Sequence, residues 1–218
     1  MIVERLLAAR LIGIVRLDDL EQTVAAAAVA IEAGLEVVEV TFTLAAAARA
    51  IDRLRSDHPD ACVGAGSVRT LAELEAAAAA GAQFLVAPGL NPALMEAAQR
   101  RSLPMIPGVF TASEIDLGAR AGADLLKLFP AEPLGPAYLA SLLQPFPEVR
   151  LVPTGGVSAG NAGAYLKAGA AAVAMGSSLF PAGPIAAEGP EVVKPLVVAA
   201  LAAVRPGSVR PAPRFQPG

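Results

Sequence analysis

The residue best suited to chemistry is Lys127. The chain carries three lysines against fourteen arginines, and this one interrupts the apolar run Asp124-Leu-Leu-Lys-Leu-Phe-Pro130. Burial disfavours the charged form of an amine. A lysine in such a run is therefore expected to have a lowered pKa and to attack a carbonyl carbon as the free amine, forming a Schiff base. The plainer alternative is a lysine at a strand end whose ammonium reaches water. Lys167 and Lys194 read as ordinary solvated or snorkelling residues. Glu39 breaks Leu35-Glu-Val-Val-Glu-Val-Thr41 in the same way, and Glu36 is offset from it in parity, so only one of the two can point inward. Glu39 is the choice, as a group that shuttles protons beside a Schiff base, directly or through water. A structural ion pair with Lys127 or Arg16 remains open, and the two roles are compatible.

Anion-binding features come late in the chain. Pro153-Thr154-Gly155-Gly156-Val157-Ser158 and Met175-Gly176-Ser177-Ser178 each follow a predicted strand, and bare backbone N–H groups in such loops suit a phosphate. Ordinary tight turns are the alternative. Arg16, ending Ile12-Gly-Ile-Val-Arg16, either reaches a substrate carboxylate or phosphate or is an exposed loop arginine. Gly64-Ala-Gly-Ser67 looks like part of a dinucleotide fingerprint but lacks the third glycine. Its glycines fit close packing at a rim, with Ser67 as a candidate ligand contact.

Other chemistries are disfavoured. The single histidine, His58, lies in the polar turn Ser56-Asp-His-Pro-Asp60, with no second imidazole for a metal and no partner for a triad. The single cysteine, Cys62, sits among apolar residues and reads as a core thiol. A net charge of -3, no basic block and few aromatics argue against a nucleic-acid surface. Mean hydropathy is high, at +0.55, but charge, Gly or Pro interrupts every apolar run before about 18 residues, the length of a membrane span. The opening, with Glu4, Arg5 and Arg10, does not resemble a secretory leader. The expectation is a cytoplasmic protein with small-molecule partners.

Eight short β-like runs alternate with Ala-rich helical stretches: 11–16, 36–41, 61–66, 83–87, 103–107, 124–129, 150–153 and 171–175. Caps at Thr70 with Glu73, at Thr111 with Glu114, and at Ser158 mark helix starts. Eight βα units over 218 residues predict a parallel sheet closed as a single-domain (β/α)8 TIM barrel over 1–204. The tail, 205–218, is too Pro-rich to continue a helix and is expected to be poorly ordered.

An internal repeat sharpens the placement. Ala-Gly recurs at Gly34, Gly81, Gly122 and Gly169, at intervals of 47, 41 and 47 residues, each time before an even-numbered strand. Five residues beyond each glycine stand Glu39, Val86, Lys127 and Ala174, candidates for one barrel layer. Strands 2 and 6 oppose each other in an eight-stranded ring, so Glu39 would face Lys127. Two residues further stand Thr41, Pro88, Phe129 and Gly176, the predicted mouth.

Glu39-Val-Thr-Phe, Gly64-Ala-Gly-Ser-Val, Pro88-Gly, Lys127-Leu-Phe-Pro-Ala and Pro153-Thr-Gly-Gly-Val, in this order, resemble the 2-keto-3-deoxy-6-phosphogluconate (KDPG) aldolase family, which includes 4-hydroxy-2-oxoglutarate (KHG) aldolases. The likeness runs from about residue 5 to residue 180. It implies a class I aldolase that splits KDPG to pyruvate and glyceraldehyde 3-phosphate, and KHG to pyruvate and glyoxylate, with no metal or cofactor and usually as a homotrimer. By the same likeness Lys127 is the Schiff-base lysine and Glu39 the proton-transfer residue. Ser67, Pro88, Phe129 and Thr154 line the keto-acid pocket, and Gly155, Gly156 and Ser177 bind phosphate. Thr41 and Thr43 are counted with the substrate-binding residues and Gly176 with the phosphate loop. Thr43 stands where many members carry an arginine that grips the substrate carboxylate. Galactonate-type relatives lack that arginine and carry one at the end of strand 1, which matches Arg16. Three rival readings remain: a phosphogalactonate-type aldolase, a phosphate-binding isomerase or synthase that uses no Schiff base, and a non-catalytic binding barrel.

Overall fold

Alternate residues of each strand face two different apolar interiors, and this division organises the molecule. The computed structural model describes residues 1–205; from residue 206 onward the Pro-rich tail lies outside the described residues. The strands are β1 (Leu11–Val15), β2 (Val37–Thr41), β3 (Cys62–Gly66), β4 (Leu85–Val86), β5 (Met105–Ile106), β6 (Gly108–Val109), β7 (Leu126–Leu128), β8 (Leu151–Pro153) and β9 (Val173–Met175). Val38, Val40, Leu85, Leu126 and Val173 pack outward among the helices. Ile12, Ile14, Val37, Phe84, Val86, Leu125, Val152, Ala172 and Ala174 form a separate inner cluster. Burial on both faces is why these strands read as near-continuous apolar runs.

All strand pairs are parallel. Six strands form a curled sheet in the order β5-β4-β3-β2-β1-β9, and three form a second sheet, β6-β7-β8. The fifth predicted strand, 103–107, is instead two two-residue strands on either side of Pro107. Proline has no N–H to give to the ladder with a neighbouring strand, although the Pro107 carbonyl still accepts from the Lys127 N–H at 2.9 Å. On the other side, β8 and β9 touch through a parallel bridge between Thr154 and Ala174 and a bond from the Ala171 N–H to the Leu151 carbonyl, 2.9 Å.

Helices α2 (Leu20–Glu32), α3 (Ala47–Asp57), α4 (Leu71–Ala79), α5 (Pro92–Arg100), α6 (Ala112–Arg120), α7 (Gly135–Leu143), α8 (Ala162–Lys167), α9 (Ala182–Glu188) and α10 (Val193–Val204) join or follow the strands. Capping boxes close the first turns of α4, with Thr70 and Glu73, and of α6, with Thr111 and Glu114. Ser158 does not cap a helix. The helix begins four residues later, and the Ser158 N–H donates to Asn161 Oδ1 at 2.8 Å, a local turn that displaces the expected cap. The opening residues, for which no element is predicted, form α1 (Ile2–Ala9). Leu6, fully buried, joins the inner cluster, with Ile2, Val3, Leu7 and Ala9 packed against it, so α1 plugs one end of the interior. Among the described residues no helix is long and apolar enough to cross a membrane.

The four repeat glycines all take the left-handed conformation, with φ of 101°, 80°, 80° and 108°. Each therefore delivers the next strand in the same phase. Val37, Phe84, Leu125 and Ala172, three residues after each glycine, and Val86 and Ala174, five after, all lie in the inner cluster, and Glu39 and Lys127 occupy the remaining two inward positions, both buried.

Candidate active site

Lys127 is the centre of β7, between Leu126 and Leu128, which pack outward. Its register partners are Gly108 on β6 and Val152 on β8. Only 5% of the residue is exposed. Burial holds the amine below its ordinary pKa; Glu39 opposes this shift and Arg16 reinforces it. Nζ lies 4.9 Å from the centre of the Phe129 ring, two residues along the same face.

Glu39 is the middle residue of β2 and is 1% exposed. Burial pushes its carboxyl above the usual range, against the pull of Lys127 and Arg16. Its Oε1 has no hydrogen-bond partner, and among the described residues it forms no ion pair with either cation. Burial therefore favours the protonated form of this carboxyl, since an unpartnered buried carboxylate oxygen is costly. Gly66 makes the room: a Cβ there would lie 1.8 Å from Glu39 Oε1. Glu36 is exposed, as its parity requires.

Above Lys127 opens a cavity of about 320 Å³, lined by Arg16, Lys127, Phe129, Thr154, Gly155, Gly156, Gly176 and Ser177 from the predicted set. Arg16 leaves the end of β1 exposed, on the wall of this cavity. Thr154 is buried and continues β8, its N–H donating to the Leu128 carbonyl at 2.9 Å. Gly155 and Gly156 follow with φ of 90° and 72°, a turn closed to side chains. A Cβ on Gly155 would press on the Phe129 ring at 3.3 Å, and one on Gly156 would collide with Glu132 at 2.3 Å. The two glycine loops are tied together by Ser178, whose hydroxyl donates to the Val157 carbonyl at 2.7 Å.

Five predicted site residues do not line this cavity. Glu39 is enclosed beside it. Thr41 is fully buried and directs its hydroxyl to the Val15 carbonyl at 3.3 Å and to the Thr43 hydroxyl at 2.8 Å; Thr43 itself is exposed. Ser67 is half-buried with φ 57°, and Pro88 is exposed, its carbonyl set against Gly108 where a Cβ would lie 2.2 Å away. Several lining residues had not been counted as site residues: Ile14, Val157, Ser158, Ser178, Phe180 and Ala182. Ile14 was legible, since it shares the parity of Arg16. Phe180 and Ala182 carry no local signal, because they reach the cavity through the turn after β9.

The wall chemistry is one-signed. Two cations, hydroxyls and bare peptide groups line the space; of the carboxyls beside it, Glu39 is enclosed and biased by burial toward its protonated form, and Glu132 stands against Gly156. Such a cavity suits a doubly anionic ligand whose carbonyl reaches an amine that burial biases toward its uncharged form. A second cavity, about 270 Å³, opens at the α1 end among Val3, Leu6, Met95, Leu103 and Leu125, with Asp124 as its one charged group. It holds none of the predicted site residues.

Residues 2–195 match the family model described as KDPG and KHG aldolase. The chain is 39% identical over 187 residues to the 2-dehydro-3-deoxy-phosphogluconate aldolase of Treponema pallidum, covering 85% of this chain and 89% of that protein. It is 38% identical over 172 residues to the KHG/KDPG aldolase of Escherichia coli K12, covering 78% and 81%. The crystal structure of KDPG aldolase from Legionella pneumophila, with pyruvate captured as a covalent carbinolamine intermediate, superposes with a TM-score of 0.84 at 32% identity, covering 91% of this chain and 97% of that one. The chain belongs to the KDPG and KHG aldolase family.

Proposed function

We propose that this chain is a class I aldolase, a carbon–carbon lyase that cleaves KDPG to pyruvate and glyceraldehyde 3-phosphate through a Schiff base on Lys127. One observation carries the reading: a 5%-exposed lysine, held below its ordinary pKa, forms the base of a cavity whose rim is two glycine loops. The free amine adds to the C2 carbonyl. Glu39, in the protonated form that burial favours, gives its proton to the carbinolamine hydroxyl, which leaves as water and creates a cationic imine. The new carboxylate then takes the proton of the C4 hydroxyl as the C3–C4 bond breaks. Its electrons enter the imine to give an enamine, the phosphorylated aldehyde leaves, and protonation at C3 followed by hydrolysis frees pyruvate. Phe129 and Thr154 flank the keto-acid end. Gly155, Gly156, Gly176 and Ser177 offer N–H groups and a hydroxyl to the phosphate. Thr41, Thr43, Ser67 and Pro88 stay assigned to the substrate pocket on the sequence pattern and family likeness, not on the lining of this cavity.

Arg16 takes the anion-gripping role that Thr43 cannot fill. It lines the cavity while Thr43 spends its hydroxyl on Thr41, and this favours, as a second reading, the galactonate-type substrate over its epimer. KHG, cleaved to pyruvate and glyoxylate, is a further substrate consistent with the name of the E. coli relative. Comparing cleavage rates of the three compounds separates them. We further infer that the two sheets are one closed (β/α)8 barrel over residues 1–204, supported by the Thr154–Ala174 bridge and by the single residue, Pro107, between β5 and β6. Family likeness supports a cytoplasmic homotrimer.

The decisive test is to incubate the protein with pyruvate and sodium borohydride and locate the adduct by mass spectrometry, with Lys127→Ala as control. Reduction onto Lys127 is expected. No adduct, or one on Lys167 or Lys194, overturns the assignment in favour of a phosphate-binding isomerase or a binding barrel.

A further inference from the structure

The chain has two tyrosines, and each hydroxyl makes the same kind of bond. Tyr138, on α7, donates to the Phe110 carbonyl at 2.7 Å, in the loop after β6. Tyr165, on α8, donates to the Ala131 carbonyl at 3.1 Å, in the loop after β7. Each therefore reaches from the helix that follows one strand back to the loop that follows the strand before it. The two loops differ in what they hold. The Phe110 loop contributes nothing to the 320 Å³ cavity, whereas the Ala131 loop begins with Phe129.

Around Ala131 the bonds form a circuit. Its N–H donates to the Thr154 carbonyl at 2.9 Å, and the next N–H, of Glu132, donates to the Gly155 carbonyl at 3.1 Å. Gly155 in turn lies against the Phe129 ring. Tyr165 is 2% exposed and is the largest of the fully buried side chains, so its ring has no freedom to follow a moving loop. From this we propose that Tyr165 is a positioning residue for the aldolase reaction: its hydroxyl locks the loop after β7 and thereby holds Phe129 and Thr154 in place around Lys127. The inference rests on the Schiff-base reading above.

Tyr165→Phe removes one oxygen and leaves the Ala131 carbonyl still bonded to the Gly135 N–H at 3.0 Å, so the fold is retained. Tyr138→Phe makes the same chemical change one loop away and serves as the control. The readouts are kcat, KM, the melting temperature and the rate of pyruvate-dependent reduction onto Lys127 at saturating pyruvate. Tyr165→Phe is expected to lower kcat and the trapping rate together by about 5- to 10-fold, as a small misplacement of the groups around the reacting carbon does. Tyr138→Phe is expected to leave both within about twofold, with a comparable change in melting temperature. Wild-type rates in Tyr165→Phe, or an equal loss in Tyr138→Phe, overturn the proposal. Failure of the wild type to trap pyruvate on Lys127 overturns the aldolase reading itself and the proposal with it.

Discussion

Gly66→Ala is the smallest change that displaces the proton-transfer group while leaving the Lys127 side chain intact. The backbone at Gly66 is ordinary, so an alanine there is not strained in itself. Its Cβ would, however, lie 1.8 Å from Glu39 Oε1, 2.4 Å from Cδ and 2.6 Å from Cγ. Ordinary contact begins near 3.4 Å, so the carboxyl must retreat by about 1.6 Å inside a fully packed interior. Overpacking of this size costs about 1–3 kcal/mol of stability. The catalytic effect is larger, because a positioned acid–base group contributes roughly 10²–10⁴-fold and an ångström of misplacement removes about 10². We expect kcat to fall about 100-fold, measured as pyruvate release in a lactate dehydrogenase-coupled assay, and the rate of borohydride trapping of pyruvate on Lys127 to fall with it, because Glu39 also gives the proton that expels water from the carbinolamine. Gly64→Ala is the matched control. Gly64 is the register partner of Glu39, but the atoms nearest its Cβ would be those of the Phe84 ring, at 2.4 Å, and not the carboxyl, so the substitution should destabilise while sparing kcat. A folded Gly66→Ala enzyme with kcat within about threefold of wild type would refute both the placement of Glu39 and its role.

Glu39→Gln should raise stability, and by an amount that depends on pH. Burial holds the folded-state pKa of Glu39 above its unfolded value. The wild type therefore bears no penalty below the unfolded pKa and loses stability as pH rises from there through the folded pKa. The gain from Gln should be absent near pH 4, grow with pH and level off at about 1–3 kcal/mol; urea titrations at several pH values check this, and a flat difference would be contrary. Arg16→Ala should raise KM for the keto acid by about 10- to 100-fold, the worth of a charged hydrogen bond. It also removes a cation that depresses the Lys127 pKa, so the acid limb of kcat/KM should move to higher pH. An unchanged KM would remove Arg16 from the substrate site.

Much of this molecule is written locally. The alternation of apolar strands with capped Ala-rich helices is a short-range property, and it marked the βα units, the boxes at Thr70 and Thr111 and the parity that turns Glu39 inward and Glu36 out. The left-handed glycines do more, because four identical exits from helices set four strands in phase and so place Lys127 and Glu39 in one interior. Other features depend on neighbours distant in sequence. Pro107 splits a strand only because its missing N–H faces a ladder, and α1 becomes a plug only because an open inner cluster needs covering. That Thr41 turns its hydroxyl to Val15 while Arg16 lines the cavity follows from the β1–β2 register, which adjacency along the chain cannot reveal. The sequence by itself determined which residue types alternate and where the backbone must turn left-handed, since those are properties of single residues and their near neighbours. Only the tertiary structure decided which polar atoms are left without partners, where a missing Cβ makes room for a carboxyl and which tyrosine holds which loop, because those outcomes depend on distances between strands that meet only when the chain is folded.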